Sequence, residues 1–399
     1  MTLHEREENA ILHTYKRLPV EIVRGEGMYL YDTNGNAYLD FLGGVAVNAL
    51  GYGHQGLLNA ITEQARKYVH VSNYFVQQPQ VELAEKLKSI TGYSRVFFCN
   101  SGTEASEGAL KLARKWGNTN GRSEIVTMQD SFHGRTMGSL SMMTNADYRE
   151  GFGPFLEGCV NIQFNNVEAL NAIVSTKTAA VFLECIQGEG GIHELTLEFA
   201  NRLTALKQQF GFLLIADEVQ SGIGRTGKFL ACEHYKLRPD IVTLAKPLGG
   251  GLPLGAILVS DELKDLLKPG NHGTTFGGNP VACAAGTVVL NEVVDNGLMV
   301  SARETGSYFV QQLTLMKASM PDLIKEVRGK GLMIGAELTF EGKSVVDAML
   351  ERKILINCTH KNVLRFLPPL IVGRTHVDDV CGTLKQVLET SHVVAEVSH

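Results

Sequence analysis

Short apolar runs separated by amphipathic stretches of helix length dominate the middle of the chain. The runs are RVFFC (95–99), EIVTM (124–128), AAVFLEC (179–185), FGFLLIA (210–216), DIVTLA (240–245) and GAILVS (255–260). All are short and rich in β-branched or aromatic residues, which predicts strands rather than helices. Between them, 101–116 and 196–209 read as helices, as do HQGLLNAITEQARKYVH and PQVELAEKLKSI upstream. Continuously apolar strands alternating with helices predict an α/β fold with a mainly parallel sheet sandwiched by helices. The first 50 residues are patterned more loosely, and YLYDTNGNAYLDF (29–41) predicts a hairpin around Asn34-Gly35. Beyond about residue 290, long helices at 299–318 and 376–390 join isolated strand candidates. The expected organisation is a large α/β domain over 55–289 and a smaller α+β domain built from both termini, 1–54 and 290–399.

Composition narrows the function. At 399 residues with 44% hydrophobic content, the chain can bury a large core and disorder is not expected. Lys and Arg number 37 against 42 Asp and Glu, with signs mixed along the chain, so a nucleic-acid footprint is not expected. The apolar segments are short and glycine-broken, and MTLHEREENA lacks an apolar signal core, so neither a membrane span nor secretion is expected. Seven scattered cysteines without a C-x-x-C pair read as reduced thiols, which suits a cytoplasmic protein. Twelve histidines show no H-E-x-x-H, so no metal site is expected.

In open α/β sheets ligands bind beyond the carboxyl ends of the strands, so the residues after each apolar run matter most. RVFFC leads into Asn100-Ser101-Gly102-Thr103-Glu104 and then a helix. Such a turn either cradles an anion with its free N–H groups or is an ordinary cap using Ser101 or Thr103. FGFLLIA ends in Asp217, a carboxylate that is costly to bury without a partner. DIVTLA ends in Lys246, followed by three glycines at 249–251. That lysine is either a snorkelling surface residue or a group that something must approach closely.

Together, a phosphate cradle, a buried Asp and a strand-end Lys are what a pyridoxal phosphate enzyme requires. The lysine amine forms a Schiff base, and the Asp keeps the pyridine nitrogen protonated. NSGTEASEGALK (100–111), SFHGRT (131–136), ECIQGEGG (184–191), LIADEVQSGIGRTG (214–227), LAKPLGGGLPLGA (244–256) and HGTTFGGNPVACAA (272–285) resemble the class-III aminotransferases. The resemblance runs collinearly from about Arg24 to RFLPPL at 365–370. It implies the fold-type-I architecture, with a seven-stranded-type sheet in the large cofactor-binding domain, and a homodimer.

Carried over residue by residue, the resemblance implies that Lys246 bears the cofactor and moves the proton, while Asp217 pairs with the ring nitrogen. Gly102 and Thr103 would hold the phosphate, joined by Thr275 from the partner subunit. Phe132 and Val219 would face the two sides of the ring. Gln220 would contact the phenolic oxygen, and Glu218 belongs to the same cofactor-binding motif. Arg365 and Arg135 match the carboxylate clamps, with Thr274 near the substrate. Glu189 matches an acid that neutralises Arg365 when an ω-amine without an α-carboxylate is bound. One departure is Cys185, where the family usually has proline. Tyr74 and Phe75 are expected near the substrate mouth.

GGVAVNALGYGH (43–54) and FHGRT are most similar to family members acting on N2-acetylornithine with 2-oxoglutarate, in arginine biosynthesis. The expected products are N-acetylglutamate 5-semialdehyde and glutamate. Ornithine, succinylornithine, 4-aminobutyrate and succinyl-diaminopimelate remain alternative donors, and an aminomutase is an alternative reaction.

Overall fold

A computed structural model of the chain describes residues 1–397, with side chains through residue 390; the last two residues of the 290–399 segment lie outside it. The apolar runs become strands β1 (Arg95–Cys99), β2 (Glu124–Met128), β3 (Cys159–Ile162), β4 (Thr178–Leu183), β5 (Leu213–Asp217), β6 (Ile241–Leu244) and β7 (Gly255–Val259). They form one sheet in the order β1-β7-β6-β5-β4-β2-β3. Strand β7 is antiparallel to both β1 and β6, and the other neighbouring pairs are parallel. Every residue of β4, β5, β6 and β7 is buried. That is why these runs are apolar on both faces rather than alternating. Strand β3, CVNI, is the seventh and lies at the edge; the hydrophobic pattern alone does not reveal it.

The helix predicted over 101–116 is α1 (Gly102–Thr119). It is capped by Ser101, whose hydroxyl accepts from the Glu104 N–H at 3.2 Å. Its buried face, including Ala105, Ala109, Leu112 and Ala113, packs onto the sheet in one cluster with Ile215, Ile241 and Ile257. The hairpin is present, with Tyr29–Asp32 antiparallel to Ala37–Asp40. Ala37–Asp40 also pairs in parallel with Ile354–Leu355, so the two ends of the chain share one sheet. A further antiparallel sheet contains β8 (Ile324–Lys330), β9 (Met333–Leu338), β10 (Asn357–Thr359) and β11 (Val363–Phe366), in the order β8-β9-β11-β10.

Fully buried Arg225 joins the segment after β5 to the chain at Leu332 and Pro368. Its guanidinium donates to the carbonyls of Leu332 and Pro368 rather than to a carboxylate, and burial pulls it down to about 9. All seven cysteines are free, and Cys185 is buried with its carbonyl accepting from Leu195 N–H at 2.9 Å. No helix among the described residues is long and apolar enough to cross a membrane.

Candidate active site

Strands β5 and β6 are parallel neighbours, and Asp217 stands opposite Thr243. The separation between Asp217 and Lys246 is therefore that of adjacent strand ends with one connection. Asp217 is buried; its Oδ1 accepts from Val219 N–H and the Thr243 hydroxyl, each at 3.1 Å. Its Oδ2 lies 2.7 Å from His133 Nδ1. Lys246 follows β6 with φ +44°, a left-handed conformation unusual outside glycine. Burial pulls its amine below the usual lysine range, while the carboxylates of Glu189 and Asp217 oppose the shift.

A cavity of about 430 Å³ opens at these strand ends. Ser101, Gly102 and Thr103 from the start of α1 line it, with Phe132, His133, Arg135, Glu184, Glu189, Asp217, Val219, Gln220 and Lys246. Val47, from the N-terminal segment, closes another side. Thr103 Oγ1 accepts from Arg135 N–H at 3.2 Å, so the helix start and the FHGRT loop are fixed together. The Arg135 guanidinium lies 3.7 Å from the Tyr148 ring centroid and 5.4 Å from that of Phe132, and it has no carboxylate partner among the described residues.

Arg365 is only 2% exposed. Its Nη1 donates to Glu189 Oε1 at 2.6 Å and to the Gly188 carbonyl at 3.1 Å, with Gln220 Oε1 at 3.5 Å. Burial works against the Glu189 carboxylate, but the Arg365 charge and hydrogen bond outweigh it and hold Glu189 below the usual range. Glu189 and Gln220 line the cavity, and Arg365 stands behind them.

Five other expected residues lie outside the cavity lining of this chain. Glu218 turns away from the cavity: its carboxylate accepts from the Ser221 hydroxyl and from Ala231 and Cys232 N–H at 2.7–2.9 Å. It fixes the turn that follows β5 and does not line the cavity. Thr274 lies off the cavity wall of its own chain, its hydroxyl accepting from Asn100 Nδ2 at 3.0 Å. Tyr74 and Phe75 stand exposed outside the cavity lining, Tyr74 at 95%. Thr275 is also exposed and outside this chain's cavity.

Two wall residues escape the sequence argument. Glu184 follows β4 directly and satisfies the same strand-end rule that singles out Asp217. Its carboxylate accepts from Phe132 N–H at 2.9 Å and Gly188 N–H at 3.1 Å, and burial pushes it up to about 7. His133 carries no such signal, because only the folded chain brings it to Asp217. Its ring packs 4.5 Å from that of Phe182, and its Nε2 is buried without a partner.

The donor set fits pyridoxal phosphate. A buried amine held below its usual range is available as a nucleophile toward an aldehyde. A helix start with free N–H groups suits a phosphate. At Gly102 a Cβ would come within 2.7 Å of Val219 Cγ1, so the cradle tolerates no side chain without movement. Fold and site together define a pyridoxal-phosphate-dependent transferase. The chain belongs to the class-III aminotransferase family, whose profile matches residues 10–388.

An acetylornithine aminotransferase of Caldanaerobacter subterraneus is 47% identical over 387 residues, covering 96% of this chain and 98% of the relative. One from Methanocaldococcus jannaschii is 46% identical, covering 96% of each. Among solved structures, the ornithine aminotransferase of Toxoplasma gondii superposes with TM-score 0.93 at 33% identity, covering 98% of this chain and 94% of that one. The acetylornithine aminotransferase of Elizabethkingia anophelis gives 0.86 at 33% identity, covering 97% and 98%.

Proposed function

We propose that this aminotransferase takes the δ-amino group of N2-acetylornithine and passes it to 2-oxoglutarate, yielding N-acetylglutamate 5-semialdehyde and glutamate. This is a step of arginine biosynthesis. The observation that carries the reading is the Glu189–Arg365 pair, 2.6 Å apart beside the cavity that holds Lys246. An ω-amine donor has no carboxylate at its reacting carbon, so Glu189 neutralises Arg365 while that donor is bound. Glutamate and 2-oxoglutarate do bring a carboxylate, and it replaces Glu189 on the guanidinium through charge-assisted hydrogen bonds. Arg135, which has no acid partner among the described residues, meets the distal carboxylate. The relatives named for acetylornithine support this donor at 46–47% identity.

When bound, pyridoxal phosphate supplies an electron-withdrawing ring that acidifies the C–H of the amine-bearing carbon. Gly102 and Thr103 would hold its phosphate, Asp217 its ring nitrogen, Gln220 its phenolic oxygen, and Phe132 and Val219 its faces. Lys246 Nζ would bear the cofactor and, as a free amine, would carry the proton. His133 and Thr243 hold the Asp217 carboxylate in place, and Glu184 holds the Phe132 backbone. Thr275 completes the phosphate site of a second copy in a homodimer. Exposed Phe276, Tyr74 and Phe75 near it suit burial against that copy. The enzyme works in the cytoplasm.

The test supplies the holoenzyme with 2-oxoglutarate and a panel of donors: N2-acetylornithine, ornithine, succinylornithine, 4-aminobutyrate and succinyl-diaminopimelate. Glutamate formation should favour N2-acetylornithine over free ornithine by at least about tenfold in kcat/KM. Preference for free ornithine, or amine movement without any acceptor, would refute the assignment.

A further inference from the structure

Asn357 stands directly opposite Arg365 across the antiparallel pair β10–β11. Its Oδ1 accepts from Arg365 Nε at 3.2 Å. Arg365 is therefore gripped from two sides by acceptors of different kinds. On the strand side is a neutral amide. On the cavity side is the Glu189 carboxylate, the one acid within ion-pair distance among the described residues. The Glu189 side chain is 28% exposed against 2% for Arg365, so the acid is the partner with room to leave. Its main chain stays in place, because the Thr359 hydroxyl, also on β10, donates to the Glu189 carbonyl. The same edge strand thus fixes both the guanidinium and the backbone of the residue that covers it.

We propose that Asn357 is a specificity-determining positioning residue: it anchors Arg365 through a neutral oxygen and leaves the full positive charge for exchange between Glu189 and a ligand carboxylate. The inference rests on Arg365 as the carboxylate site. A buried guanidinium needs a counter-charge, and removing an only partner is costly. An acid at position 357 would be a permanent partner across the strand pair. It would make the ligand carboxylate superfluous and Glu189 redundant. An amide of the same shape orients Nε without supplying charge, so the exchange remains possible.

The test uses the holoenzyme, with N357D as a near-isosteric change of charge and N357A as loss of the anchor with charge unaltered. Glutarate, a dicarboxylate that cannot react, reports binding by calorimetry. Single turnovers with glutamate and with N2-acetylornithine report the two half-reactions. N357D should weaken glutarate about 10- to 100-fold, the scale of one charge-assisted hydrogen bond. N357A should weaken it less, by about threefold to tenfold, through the lost anchor alone. In N357D the glutamate half-reaction should lose at least about tenfold relative to the N2-acetylornithine half-reaction. E189Q should slow the N2-acetylornithine half-reaction, and the double variant E189Q/N357D should recover most of that loss, because the new acid replaces the missing one. A merely structural role for Asn357 predicts no such rescue.

The proposal is overturned if N357D binds glutarate like the parent, or if the double variant is no faster than E189Q. Should N357D fail to fold, N357A with unaltered glutarate binding overturns it equally. Arg365→Lys separates the two levels. Unaltered glutarate binding there removes the carboxylate-site reading itself, whereas weakened binding beside an unaffected N357D removes only the role of Asn357.

Discussion

Replacing Gly102 by alanine probes the cofactor cradle with one methyl group. Gly102 opens α1, and its backbone is not in the left-handed region, so the change introduces no torsional strain. The whole effect is contact. The new Cβ would lie 2.7 Å from Val219 Cγ1 and 3.1 Å from Cγ2, well inside van der Waals distance. Valine is stiff about χ1, so it relieves the clash by moving as a unit toward the cavity it lines. Its N–H also bonds Asp217 Oδ1 at 3.1 Å, so a backbone shift reaches the carboxylate assigned to the ring nitrogen. Overpacking of this kind costs about 1–3 kcal/mol, or about 5- to 150-fold in the cofactor Kd. The apoprotein should be less affected, because Val219 can relax into the cavity when no ring occupies it. Titration of apoprotein with pyridoxal phosphate, followed by the visible band, measures the Kd, and urea unfolding of the apoprotein measures the rest. G102A/V219A should regain most of the affinity, giving a favourable coupling of about 1–2 kcal/mol in the double-mutant cycle. A G102A Kd within about twofold of the parent, or no recovery in the double variant, would refute the reasoning.

Three further outcomes follow from the same contacts. His133→Leu keeps volume but removes the donor to buried Asp217, whereas His133→Asn keeps a donor in the Nδ1 position. Urea unfolding should place Leu below Asn by about 1.5–3 kcal/mol, and equal stability would exclude a role for the hydrogen bond. Burial raises Glu218 from 4.5 to about 7, so the folded state binds its proton more tightly than the unfolded chain. Its stabilising contribution is complete below pH 4.5 and is lost as pH rises through about 7, by at most about 3 kcal/mol. Glu218→Gln should flatten apoprotein stability between about pH 5 and 8 in chemical denaturation, and an unchanged slope would contradict this. Gly382 lies inside the helix Arg374–Val397, and a Cβ added there would meet nothing within 4 Å, so Gly382→Ala should stabilise by about 0.5–1 kcal/mol in a thermal melt.

The large sheet was legible because its strands are buried on both faces. Six of the seven show as apolar runs, and the connecting helices as amphipathic stretches. The seventh, Cys159–Ile162, is an edge strand of four residues with Asn161 in it, only partly buried for most of its length. Without two covered faces it leaves no continuous apolar run, and no pattern of period two emerges over so short a span. The pairing of Ile354–Leu355 with Ala37–Asp40 was likewise invisible. Two residues carry no periodicity, and the partner is some three hundred positions away.

The site divides along a similar line, and the division is physical. Asp217, Lys246 and the start of α1 announce themselves because each is a polar group at the end of a buried strand, where burial is costly unless something answers it. Glu184 obeys that rule too and was within reach. His133 and Asn357 do not, because their significance lies in which group they meet, at 2.7 Å and 3.2 Å, and not in where they fall along a pattern. Conversely, Glu218 shares the cofactor-binding motif of Asp217, yet successive side chains leaving a strand point to opposite faces. Asp217 thus faces the cavity while Glu218 is sent to the start of the short 3-10 helix Ala231–Tyr235. Alternation alone predicts that one of two adjacent strand-end acids faces the ligand and the other needs its own partners in the protein. The three donors around the Glu218 carboxylate are those partners, and they explain how an acid with no contact to the cavity can be fully buried beside one that lines it.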